Sequence, residues 1–145
     1  MARHRMILMV ATIGALILAG CGGGTGGSAT GNRQSCRSSG SSGVCEGSYG
    51  TVKGNYAFRV EELDVDSGTP AWVSAEVAVE SGALRVELVA PDGTVTGADI
   101  QAGQNVTVEG LAAVSAFGDL PVAFKVAEGE TAGGISYTIR WELCR

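Results

Sequence analysis

The chain has 145 residues, 23 of them glycine, with 45% hydrophobic and 6% aromatic content. That length supports one small core and excludes two substantial ones. Ten basic against 15 acidic residues give a net charge of −5, which excludes a nucleic-acid binder of the usual basic kind.

The N-terminal stretch has three parts. Arg3 and Arg5 are a basic start, with the chain's single histidine, His4, between them. Met6 to Ala19 is an apolar run of 14 residues broken only by Thr12 and Gly14. As a helix it would span roughly 21 Å, short of the ~30 Å hydrocarbon core, so it reads as the apolar region of a signal peptide. Removal of residues 1–20 would take away His4. The mature chain would then have no imidazole for a triad, a zinc site or a general base.

Leu18-Ala19-Gly20-Cys21 closes this segment and resembles the lipobox of bacterial lipoproteins. The resemblance implies transfer of diacylglycerol to the Cys21 sulfur, cleavage after Gly20, and a membrane anchor built from the acyl chains, palmitate-like in kind. The chemistry suits the residues: Ala19 and Gly20 are small enough to enter a peptidase cleft, and the alkylated nucleophile is a thiolate. Each buried methylene contributes about 0.8 kcal/mol, so two or three chains on one cysteine anchor far better than one. Gly22 stands where that family's inner-membrane retention signal places an aspartate. The localisation implied is the extracytoplasmic side of a cell-envelope membrane, the outer membrane where the host has one.

Residues 21–43 read as a lipidated, Gly/Ser-rich tether. Glycine and serine fill 14 of the 22 positions from Gly22 to Gly43, with no apolar periodicity to offset ordering entropy. A flexible chain of that length has a root-mean-square reach of about 25 Å. The glycines do not form a phosphate loop, because no Lys-Ser/Thr pair follows them.

From residue 44 to 145 the pattern turns to period two. Tyr56, Phe58 and Val60 begin it, followed by Val73, Ala75, Val77 and Val79, then by Leu84, Val86 and Leu88. Val106 with Val108, and Val122 with Phe124 and Val126, continue the series. The clearest run is Ile135-Ser136-Tyr137-Thr138-Ile139-Arg140-Trp141-Glu142-Leu143, apolar at every odd position. Such alternation places one face of each strand in a shared core. Ser81-Gly82 reads as a hairpin turn and Pro91-Asp92-Gly93 as a proline-preset turn. With no helical stripe, the expected fold is an all-β, antiparallel, jelly-roll-like sandwich of seven or eight strands. SGALRVELVAPDGTV and GISYTIRWEL are similar to the central hairpin and closing strand of bacterial pre-peptidase C-terminal domains. That resemblance implies a non-catalytic sandwich appendage. Arg85 and Glu87 stand where the family has an acidic D-x-D pair.

Once Cys21 is lipidated, Cys36, Cys45 and Cys144 remain in an oxidising compartment. None of the four cysteines forms a C-x-x-C pair, so neither a zinc ribbon nor a thioredoxin-type site is present. The pairing expected first is Cys45–Cys144, joining neighbouring first and last strands, then Cys36–Cys144, then Cys36–Cys45. Closing so long a loop would stabilise the fold by up to ~4.7 kcal/mol.

Glu61, Glu62, Asp64 and Asp66 are the densest charge cluster. Asp64 and Asp66 are a weak calcium candidate, lacking the third acid and distal glutamate of an EF-type loop, and a solvated strand end is the preferred reading. Trp72 falls on the polar face of its strand. There it either meets a partner or a sugar ring, or caps the sandwich edge beneath the Asp66–Pro70 loop, the preferred reading. Trp141 falls on the apolar face and belongs to the core. Lys53 and Lys125 are the only lysines, and no Ser–Lys nucleophile pair is legible.

No catalytic set and no cofactor is implied. The leading functional reading is a lipid-anchored envelope lipoprotein whose non-catalytic sandwich binds or supports another envelope protein. The alternative is a polysaccharide or cell-wall binding module using Trp72. An envelope hydrolase ranks below both, since no constellation supports it.

The lipobox has a direct test. Cys21→Ser should abolish lipidation, because a hydroxyl is a far poorer nucleophile than a thiolate. After loss of Arg3 and Arg5 the mature chain carries −7, so anionic headgroups would not retain it. The variant should accumulate as unprocessed precursor or as soluble protein; processed variant that still floats with membranes at high salt would remove the anchor assignment.

Overall fold

A computed structural model describes residues 26–145 of the chain. Leu18, Ala19, Gly20 and Cys21, with the expected signal peptide, lie outside the described residues. The ten strands are β1 (Ser28–Thr30), β2 (Arg33–Ser39), β3 (Ser42–Lys53), β4 (Asn55–Val60), β5 (Pro70–Ser81), β6 (Ala83–Val89), β7 (Val95–Gln101), β8 (Asn105–Ala113), β9 (Leu120–Lys125) and β10 (Ala132–Leu143). They form two antiparallel sheets. The larger runs β1-β3-β10-β5-β8, with β2 also against β3, and the smaller runs β4-β9-β6-β7.

The period-two pattern produces this sandwich directly. On β10, Ile135, Tyr137, Ile139 and Trp141 are buried while Ser136, Arg140 and Glu142 are exposed. On β5, Ala71, Val73, Ala75, Val77 and Val79 fill the inner face. Leu84, Val86 and Leu88 on β6 and Leu120, Val122 and Phe124 on β9 meet them from the other sheet. An aromatic cluster joins the layers: Tyr137 lies 5.0 Å from Phe58 and 5.3 Å from Tyr49 between ring centroids, and Tyr49 stacks edge-on to Tyr56 at 5.3 Å. Burial pushes the Tyr49 and Tyr137 phenols above their ordinary range. Gly47 of β3 makes room for this cluster, since a Cβ there would sit 2.3 Å from the Tyr137 hydroxyl oxygen.

Ten strands stand where seven or eight were expected, and three further expectations need correction. The first is the tether over 21–43, since residues 28–30 and 33–39 are strands paired to β3. Every residue of β2 is exposed, so side-chain burial contributes nothing to it. Its backbone ladder and a Cys36–Cys45 disulfide hold it instead. The second is the Ser81-Gly82 hairpin. β5 and β6 belong to different sheets, and Gly82, at φ 74°, turns the chain from one layer to the other. A Cβ at Gly82 would lie 2.4 Å from the Thr131 carbonyl oxygen. The Pro91-Asp92-Gly93 turn does close a hairpin, with the Gly93 amide donating to the Ala90 carbonyl and the Thr94 amide to Asp92.

The disulfide also overturns the expected Cys45–Cys144 bridge. β10 does lie antiparallel to β3, as that expectation required, but the register pairs Cys45 with Ile139. Cys144 is five residues beyond, roughly 17 Å along the strand. Cys36 stands directly opposite Cys45 across the β2–β3 ladder. Cys144 is an exposed free thiol.

Charged clamps hold the strand ends. Arg59 on β4 donates to Asp119 at 2.7 Å, and the Ser115 hydroxyl bonds the same carboxylate. Burial of Asp119 opposes its charged form, but Ser115 and Arg59 outweigh that and hold its carboxyl below the ordinary aspartate range. On the smaller sheet, Lys125 and Arg85 both grip Glu87, at 2.5 and 2.8 Å, and lower its pKa.

Asp119→Asn should destabilise the fold at pH 7 by about 1–2 kcal/mol, allowing for the half-exposed Arg59. A depressed carboxyl stabilises fully above its unfolded pKa, about pH 4, and loses that contribution as the pH falls through the lower folded value. Thermal melts should therefore show the gap between wild type and variant closing below about pH 4; a constant gap would exclude the ionised clamp. For the bridge, iodoacetamide on denatured, unreduced full-length protein should label Cys144 and spare Cys36 and Cys45. A peptide linking Cys144 to either partner would contradict it.

Candidate functional site

The outer face of the larger sheet carries side chains that the core does not need. Reading across the strands, β2, β3, β10, β5 and β8 place Arg37, Val44, Arg140, Ser74 and Glu109 in one row. The next row is Ser39, Ser42, Glu142, Trp72 and Leu111. Period two assigns both rows outward because Trp141, Val73 and Ala75 beside them point into the core.

Trp72 is 50% exposed and its neighbour Leu111 38% exposed. The tryptophan therefore does not cap the edge beneath the Asp66–Pro70 loop. That loop closes on itself and on the segment after β8: the Gly68 amide donates to the Val114 carbonyl, and the Thr69 amide and hydroxyl donate to the Asp66 carbonyl. It leaves the indole free on the sheet. Trp141 is 4% exposed, as its alternation predicts.

Trp72 borders a groove of about 550 Å³, lined also by Arg37, Ser39, Ser42, Arg140 and Glu142. An aromatic wall, several hydroxyls and both signs of charge make a surface that can stack on a flat apolar ring and hydrogen-bond the groups around its rim. Neither a nucleophile–base pair nor a metal set is among these residues. A smaller hollow beyond Trp72 is formed with Ser41, Cys144 and Arg145.

A second hollow, about 480 Å³, lies between β2 and the segment after β4, against the disulfide, Leu63, Val65 and Trp141. Glu61, Glu62 and Asp64 border it. The carboxylates of Glu61, Glu62, Asp64 and Asp66 are exposed while Leu63 and Val65 between them are half-buried. Among the described residues no three acidic, histidine or cysteine side chains converge on a metal position, which leaves the Asp64–Asp66 calcium candidate without a ligand set. Lys125 is taken up by Glu87, and Lys53 is exposed at the end of β3.

One exposed aromatic was not singled out from sequence. Phe117 is 90% exposed at the tip of the 114–119 loop. Its amide donates to the Ser115 hydroxyl, and the Gly118 carbonyl accepts from Leu63. The signal available was an aromatic beside glycine in a turn, which says nothing of how rigidly it is displayed.

No protein family matches the sequence, and no curated protein is significantly similar to it. Among solved structures, the enzymatically active domain of bacteriophage CBA120 tailspike protein 4 overlaps with TM-score 0.38 at 13% identity. That overlap covers 81% of this chain, which spans 19% of that one. A carbohydrate binding module from Cellvibrio mixtus lichenase 5A, in complex with cellotriose, overlaps with TM-score 0.33 at 20% identity, over 81% of this chain and 91% of that one. The CBM22-1 xylan-binding domain of Paenibacillus barcinonensis Xyn10C gives 0.35 at 12% identity, over 80% and 88%. Overlaps this low carry no argument about the ligand, which has to come from the face itself.

Proposed function

We propose that the chain is a non-catalytic glycan-binding module, held at an envelope membrane by acyl chains on Cys21. The observation that carries the reading is Trp72, a half-exposed indole fixed on a paired strand inside a groove of hydroxyl and charged side chains. Covering the exposed part of the indole with an apolar ligand face is favourable in proportion to the area removed from water. A pyranose ring offers an apolar C–H face for the indole and a rim of hydroxyls for Ser39, Ser42 and Glu142. The site sits on a sheet rather than a loop, so little ordering entropy is lost on binding. The lipobox resemblance supports the anchor, and β1 and β2 take residues 28–30 and 33–39 out of the expected tether.

Attachment to another envelope protein is the second reading, and Phe117 is the observation favouring it. A single aromatic displayed on a pinned loop is the kind of side chain that fills a partner's pocket.

Affinity electrophoresis and tryptophan fluorescence of the full-length chain in mild detergent, against a polysaccharide and peptidoglycan panel, separate the two. Trp72→Ala should weaken glycan binding by about 2 kcal/mol, near thirty-fold, with an unchanged melting temperature. Phe117→Ala should leave that binding unaltered. Unchanged fluorescence across the whole panel would remove the glycan reading.

A further inference from the structure

We infer that the glycan is an acidic one, its carboxylate or sulfate groups held by Arg37 and Arg140 beside the Trp72 platform; this rests on the glycan reading above. The argument begins with charge. Acids outnumber bases in the chain by 15 to 10, yet around Trp72 the balance reverses. The groove and its adjoining hollow present Arg37, Arg140 and Arg145 against Glu142 alone.

These arginines differ from Arg59 and Arg85 in how they are used. Arg59 is committed to Asp119, and Arg85 to Glu87 and Asp99. Arg140 has no carboxylate within 4 Å among the described residues, while Arg37 has only Glu46 at 3.9 Å. The Arg37 and Glu46 side chains are 77% and 56% exposed, and an ion pair of that length in water holds little. Glu109, at the end of the same row, accepts a hydrogen bond from Ser74 instead.

Geometry then places the two guanidinium groups as a pair. Arg37 and Arg140 flank Val44 on its two sides, two strand spacings or about 10 Å apart at the backbone. Arg140 is a diagonal cross-strand neighbour of Trp72, within reach of a long side chain. A planar guanidinium donates two parallel hydrogen bonds to a carboxylate or sulfate, which a neutral sugar cannot accept in the same way. A chain of sugars stacked on Trp72 would thus bring its charged substituents over Arg140 and then Arg37.

The experiment measures binding of the full-length protein in detergent to polygalacturonate, alginate and chondroitin sulfate. The neutral arm is methyl-esterified polygalacturonate, xylan and β-glucan, with poly-glutamate as a polyanion that lacks sugar. At least one acidic polymer should bind ten-fold or more tighter than every neutral polymer and than poly-glutamate. Arg140→Gln and Arg37→Gln should each remove most of that advantage, as should raising salt, whereas Trp72→Ala should weaken binding throughout. Both arginine positions are exposed, so melting temperatures should not move. Equal binding of acidic and neutral glycans, or arginine variants without effect, overturns the inference and leaves the platform standing. Binding of poly-glutamate as tight as any glycan overturns the inference by reducing the face to bare electrostatics. No binding to any polymer overturns both readings.

Discussion

The pairing of β10 with β3 on one side and β5 on the other is the constraint from which the remaining architecture follows. Ten residues of β10 are in register with each neighbour, and a slip of one position would turn every side chain to the wrong face. With Trp141 fixed inward, Arg140 and Glu142 must face out. With Glu142 opposite Trp72, the indole must share that outer face. The core and the proposed binding groove are therefore two sides of one ladder.

This explains why one side of the molecule was readable from sequence and the other was not. Alternation on β5, β6 and β10 identified both sheets' inner faces, because an apolar side chain in a half-buried strand has one place to go. β2 carries no such mark: Arg33-Gln34-Ser35-Cys36-Arg37-Ser38-Ser39 has the composition of a linker. A ladder and a disulfide make it a strand, and neither depends on hydrophobicity. The cysteine pairing follows a related rule. β3 and β10 are neighbours, but a bridge depends on register to the residue, and β3 meets β10 with Cys45 well short of Cys144.

Alternation places Trp72 on the polar face of its strand, but what covers a sheet's outer face depends on where distant loops run. A loop of Asp, Ser, Gly and Thr before the strand suggested a lid. Its hydrogen bonds run instead to Val114 and within the loop. The grouping of Arg37 with Arg140 was out of reach altogether, because a separation of 103 positions closes only when β3 lies between their strands. Gly82 shows the same limit at a single residue. A Ser-Gly pair between two alternating runs suits a hairpin and a layer change equally well, and only the sheets decide between them.

The position of β10 also bears on when the protein can fold. It is the last strand in the chain and the middle strand of its sheet. During synthesis β3 and β5 emerge early, with no partner between them until residues 132–143 arrive. Nearly all the contacts that close the larger sheet join segments far apart in sequence, which slows folding and delays it until residues 132–143 have been made. Until then a nascent chain of this design leaves the facing edges of β3 and β5 unpaired, and those edges are the part most open to pairing with another chain.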